Sequence, residues 1–124
     1  MGPTPGISVW INPSHANSLS ARPVQLAAPP YILGMQHSVA VFPGFSAGDL
    51  STLALRRHLQ NRGFRPHRWR LGVNRGDVEA LIPQVVARAE SVSKRGGQPI
   101  SLVGWSLGGV LAREVARERP DLVR

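Results

Sequence analysis

Ile100-Ser101-Leu102-Val103-Gly104-Trp105-Ser106-Leu107-Gly108-Gly109 is an apolar, β-branched run that breaks into a glycine-rich turn. Val110, Leu111 and Val115 follow at helical spacing, and Pro120 closes the helix. A strand, a sharp turn and a helix are therefore expected in that order. The turn reads G-x-S-x-G. In this context the pattern places a serine hydroxyl in the open at the top of a sheet, with glycines letting strand and helix pack closely. Ser106 is the candidate nucleophile. The bland alternative is a plain glycine-rich turn with an incidental serine.

Working back from this stretch, the same alternation repeats. Ser38-Val39-Ala40-Val41-Phe42 reads as a buried strand, and Pro43 to Gly48 as a loop. Asp49 is the expected N-cap of a helix whose stripe is Leu50, Leu53, Ala54 and Leu59, ending near Gly63. Phe64 to Leu71 is expected as a second strand, with Trp69 and Leu71 on one parity, and Gly72 to Gly76 as a loop. Val78, Leu81, Ile82, Val85, Val86, Ala89 and Val92 mark a further helix closed by Gly96-Gly97. Pro83 predicts either a regular start near Ile82 or a kink. Pro99 to Gly104 is the third strand. Three strand–helix alternations predict an α/β fold: a mostly parallel sheet with helices on both faces. Ligands of such sheets bind at the carboxyl ends of the strands, where the loops at Pro43–Gly48, Gly72–Gly76 and Gly104–Gly108 are all expected to open.

Residues 1–36 differ. Six of the 11 prolines fall there (Pro3, Pro5, Pro13, Pro23, Pro29 and Pro30), among many Ser, Asn and Gly. The segment is expected to be irregular, with Ile7–Ile11 and Tyr31–Leu33 as short pieces able to pack as edge strands. The 124 residues thus divide into an irregular segment, 1–36, and a regular domain, 37–124.

Composition narrows the function classes. There are no cysteines, which excludes disulfides and thiolate metal sites. No run reaches the roughly 18 apolar residues of a membrane span. The first charged residue is Arg22, so a basic secretion leader is not seen, and the cytoplasm is the default location. Fifteen basic residues against seven acidic ones give +8, and only Lys94 of the fifteen is lysine. Such a balance is open to a nucleic-acid or anionic-surface partner. The arginines are spread over helices and loops without a nucleic-acid motif, so a nucleic-acid partner is not expected.

Acyl transfer at Ser106 would build negative charge on a carbonyl oxygen, which two fixed backbone N–H donors stabilise. Leu107, next to the serine at a helix N-terminus, is one candidate donor. Phe45, in Pro43-Gly44-Phe45 just after the first strand, is the other.

On these residues, His37 to Arg124 resembles the N-terminal half of an α/β-hydrolase of the lipase/esterase type. The matching pieces are Val39–Phe45, Trp69–Gly76, and Leu102–Gly109 with Ala112-Arg113-Glu114. The resemblance implies a small-molecule or lipid ester substrate, no metal and no organic cofactor. It also implies a catalytic acid and histidine placed after the serine. No histidine follows Ser106, and Glu114, Glu118 and Asp121 read as solvated charges on or just past the last helix. His15, His37, His58 and His67 all precede the serine, and each reads as a surface or partly packed histidine. The site residues of the acid and base are therefore expected from a missing C-terminal half or a complementing chain. The strand at Ile100–Gly104 is expected to have an open side. Turnover by these residues alone is expected to be small. Three further readings remain: a non-catalytic relic or interaction module, an acyltransferase or thioesterase variant, and a basic nucleic-acid binder.

Overall fold

In a computed structural model of the protein, the described residues are 9–11 and 36–124. Four parallel strands form one sheet: β1 (Val9–Ile11), β2 (Ser38–Phe42), β3 (Arg65–His67) and β4 (Ser101–Trp105), in the spatial order β1-β4-β2-β3. The helices are α1 (Leu53–Asn61), α2 (Val78–Gly96) and α3 (Leu107–Glu118), with single 3₁₀ turns at Asp49–Thr52 and Pro120–Leu122.

β1, β2 and β4 form where the sequence is mainly apolar, whereas β3 is the polar edge piece Arg65-Pro66-His67, and the alternation along β2 and β4 decides which helix goes where. Val39 pairs with Ser101, Ala40 with Leu102 and Val41 with Val103. One parity (Ala40, Phe42, Ile100 and Leu102) packs against Leu81, Val85, Ala89 and Val92 of α2 and Leu111, Ala112 and Val115 of α3. The other parity (Val39, Val41 and Val103) packs against Leu59 of α1 and Phe64. Helices thus cover both faces. Burying a side chain of this size stabilises by about 1.5–3 kcal/mol.

Four expectations are corrected. The edge of β4 is not open: Val9, Trp10 and Ile11 pair in parallel with Val103, Gly104 and Trp105. A three-residue piece of the proline-rich segment satisfies ladder groups that an exposed edge would leave free. The second strand spans only Arg65–His67, not Phe64–Leu71. Trp69 is fully buried, but in the loop that follows; its Nε1–H donates to the Gly72 carbonyl at 2.9 Å, so the indole closes the loop on itself. Asp49 caps no helix. Its carboxylate accepts the main-chain N–H groups of Trp69 and Arg70, at 3.0 and 3.1 Å. These bonds hold Arg70 at φ +61, a backbone region that L-residues seldom occupy. Finally, α2 is helical from Val78 onward, ahead of Pro83. The Asp77 carboxylate accepts the Ala80 N–H at 3.2 Å and starts it. Pro83 lacks the N–H that would reach the Glu79 carbonyl, and both residues are exposed, so the lost bond falls on the solvent side of the helix. His15 and Tyr31–Leu33 lie outside the described residues.

Two partly buried histidines bond serines at the amino ends of β4 and β2. His37 Nε2 bonds Ser101 Oγ at 2.8 Å, and His67 Nε2 bonds Ser38 Oγ at 3.1 Å. Burial pushes both imidazoles below their ordinary value, with Arg124 adding to the effect on His37 and Arg88, Arg65, Arg95 and Arg70 on His67. The unfolded chain takes up these protons near pH ~6.5, the folded chain only at lower pH. Stability is therefore full above that value and lost as pH falls below it. A melting temperature that declines from about pH 6.5 downward, with a shallower decline in His67→Gln, is expected. A rise over the same interval would contradict this.

Candidate active site

The sheet delivers three loops to its carboxyl edge, and Ser106 lies in the one that leaves β4, against the one that leaves β2. It occupies the turn from β4 into α3 with φ 54 and ψ −117, a conformation that costs a non-glycine residue of order 1–3 kcal/mol. The surrounding packing holds it there. A Cβ placed on Gly104 would run into the main chain of Gly108 and Gly109. One placed on Gly108 would run into the Phe42 carbonyl. Glycine at both positions lets the first turn of α3 lie directly on β4 and β2. Among the described residues the Ser106 hydroxyl has no hydrogen-bond partner, and the residue is half-buried.

Leu107 is the first residue of α3, so its N–H lies in the helix's first turn, where donors lack intrahelical partners. The helix dipole favours negative charge at that end. Phe45 follows β2 in the turn Pro43–Ala47, closed by the Ala47 N–H donating to the Gly44 carbonyl at 3.1 Å. A Cβ built on Gly44 would lie 3.0 Å from the Trp105 carbonyl oxygen and 3.4 Å from Ser106 Cβ, so this turn abuts the serine. The Phe45 ring lies over Gly76. The three residues singled out in the sequence thus converge on one edge.

Asn74 is the site residue that sequence reasoning missed. It is fully buried. Its Nδ2 donates to the Pro43 carbonyl at 3.0 Å, and its Oδ1 accepts the Gly76 N–H at 3.0 Å. Its main chain adds two bonds: the Ser46 N–H donates to its carbonyl at 2.7 Å, and its own N–H to the Ala47 carbonyl at 2.8 Å. One side chain therefore locks the Pro43–Ala47 turn to the Gly72–Gly76 loop, with Ser46 at φ +63. An asparagine in a glycine-rich loop gives no signal of this in sequence.

The described histidines do not reach the serine. His37 is anchored to Ser101 at the amino end of β4, and five strand residues at ~3.3 Å each put it roughly 16 Å from Ser106. His67 is held by Ser38 at the same end of the sheet, and His58 lies exposed on α1. Glu114 pairs with Arg117, and Asp121 with Arg119. His15 is outside the described residues. Among the described residues no three His, Asp or Glu side chains group as metal ligands.

Compared with known proteins, the chain matches no family model, no curated protein and no solved structure.

Proposed function

We propose that the chain carries the nucleophile half of a serine hydrolase of lipase/esterase type, acting on carboxylic esters within a partial α/β-hydrolase fold. Ser106 is the nucleophile, and the N–H groups of Leu107 and Phe45 form the oxyanion hole. The observation that carries this reading is the backbone of Ser106, φ 54 and ψ −117, between a parallel strand and a helix N-terminus with the β2 turn against it. Strain of that kind at a nucleophilic side chain is a mark of function. In the reaction, Ser106 Oγ attacks the ester carbonyl carbon and gives up its proton to a base. The carbonyl oxygen takes the negative charge toward the two N–H donors, and collapse expels the alcohol to leave an acyl-serine. The base and its acid partner come from outside the described residues.

A second reading, a non-catalytic module that keeps the turn as structure, is favoured by the imidazoles of His37 and His67, which are held by serines at the amino ends of β4 and β2. An acyltransferase or thioesterase variant uses the same first half-reaction and differs only in the acceptor or leaving group.

With an activated ester such as p-nitrophenyl butyrate, the purified chain is expected to turn over near background, because an unactivated serine lacks the ~10²–10⁴-fold that a positioned base supplies. Rapid turnover abolished in Ser106→Ala would show that the chain supplies its own base.

A further inference from the structure

Among the described residues, the carboxyl edge carries large apolar side chains that remain exposed. Phe45 is 63% exposed, Leu50 83%, Val73 52% and Trp105 40%. They come from four segments, yet close contacts gather those segments. Gly44 abuts Trp105, and a Cβ on Gly48 would lie 3.1 Å from the Gly72 carbonyl oxygen, beside Val73. The Asp49 carboxylate, next to Leu50, binds the Arg70 N–H. Scattered exposed apolar residues need no explanation, but a cluster on one edge marks a contact surface.

The flank beside that edge is cationic. Arg68 and Arg70 follow the carboxyl end of β3, and Arg88 of α2 reaches across to donate Nε–H to the Arg68 carbonyl at 2.9 Å. Arg65 on β3 and Arg95, seven residues after Arg88 on α2, continue the charge along the same flank. Burial and the neighbouring Arg70 and Arg95 lower the affinity of Arg88 for its proton, as expected where like charges are held together. Among the described residues, ion pairs form only at Arg117 and Arg119, with Glu114, Glu90 and Asp121, and none involves Arg68, Arg70 or Arg88. The Asp49 carboxylate is already occupied by two main-chain N–H groups.

We propose that this edge docks on an anionic membrane surface, with Phe45, Leu50, Val73 and Trp105 entering the interface and Arg68, Arg70 and Arg88 meeting the lipid phosphates beside them. A bilayer surface offers both chemistries in one plane: an acyl boundary for apolar side chains and fixed phosphates for guanidinium groups. A nucleic-acid strand would use the arginines and could stack on Phe45 or Trp105. It would leave Leu50 and Val73, which have no stacking face, in water. The docking surface surrounds Ser106 but does not depend on its chemistry.

Co-sedimentation of the full chain with lipid vesicles tests this. Binding is expected to vesicles containing phosphatidylglycerol, to weaken with added salt, and to be much weaker with phosphatidylcholine alone. Neutralising one arginine costs about fivefold in partitioning, so Arg68→Gln with Arg70→Gln should lose tenfold or more. Leu50→Ser with Val73→Ser, at positions that support no core, should also weaken binding while circular dichroism is unchanged. Ser106→Ala should bind as the parent does, which separates this proposal from the fate of the hydrolase reading. Equal partitioning to both vesicle types, or none to either, would overturn it. Tight binding of single-stranded RNA that ignores the Leu50 and Val73 changes would assign the flank to nucleic acid instead.

Discussion

Replacing Gly104 by alanine is expected to destabilise the protein severely. The added Cβ meets the carbonyl of Gly108 and the nitrogen of Gly109, which are main chain and cannot rotate away. Relief requires lifting the first turn of α3 from β4, and with it the packing of Leu111, Ala112 and Val115. Overpacking usually costs about 1–3 kcal/mol where side chains can adjust; here the cost should be about 3 kcal/mol or more. Against a typical total of ~5–15 kcal/mol, that is a large share. Gly97→Ala is the control. Its Cβ enters open space, and only its φ of +70 is unfavourable for alanine, a cost of about 1–2 kcal/mol. Urea denaturation of both variants decides the matter: equal losses would mean that the strand–helix turn is looser than described.

Asn74→Ala is expected to have the next largest effect. It leaves the Pro43 carbonyl and the Gly76 N–H without their partner, and unsatisfied groups of this kind cost ~1–3 kcal/mol each where water cannot reach them. Asn74→Asp separates the two bonds. Its carboxylate still accepts from Gly76, but it opposes the Pro43 carbonyl with a second oxygen and brings a charge into a buried position. Both variants should be destabilised, and hydrogen exchange in both should rise first at Ser46 and Ala47. Unchanged protection there would show that the turn next to Ser106 holds its shape without Asn74.

The elements that sequence made legible are those whose cause is local. Ser38–Phe42 is an apolar β-branched run. The stripe from Val78 to Val92 has helical period, and Gly104–Gly108 is a turn whose residue types leave few alternatives. What stayed hidden depends on partners distant in the chain. Trp69 and Leu71 share a parity and so read as strand, but Asp49, about twenty residues upstream, captures the Trp69 and Arg70 N–H groups and turns the chain away from β2. Ile7–Ile11 read as a possible edge strand, and Val9–Ile11 is one, but its place beside β4 was not legible because that pairing lies about ninety positions away in sequence. The candidate site divides the same way. Ser106 is announced by its own turn, whereas Asn74 acquires its role only when two loops meet. Pro83 shows the opposite failure: a strong local rule was outweighed by the Asp77 cap and by solvent access at Glu79.

The most direct test of Ser106 as a nucleophile is the mass of the peptide that carries it after the chain meets p-nitrophenyl butyrate with imidazole supplied in solution. Free imidazole stands in for the base that the described residues do not bring to the site. The predicted result is a butyryl adduct on Ser106 that grows with imidazole concentration, disappears in Ser106→Ala, and exceeds any adduct on the exposed Ser51 and Ser91. Acylation of Ser106 no greater than that of Ser51 and Ser91 would contradict the account and leave the turn as structure alone.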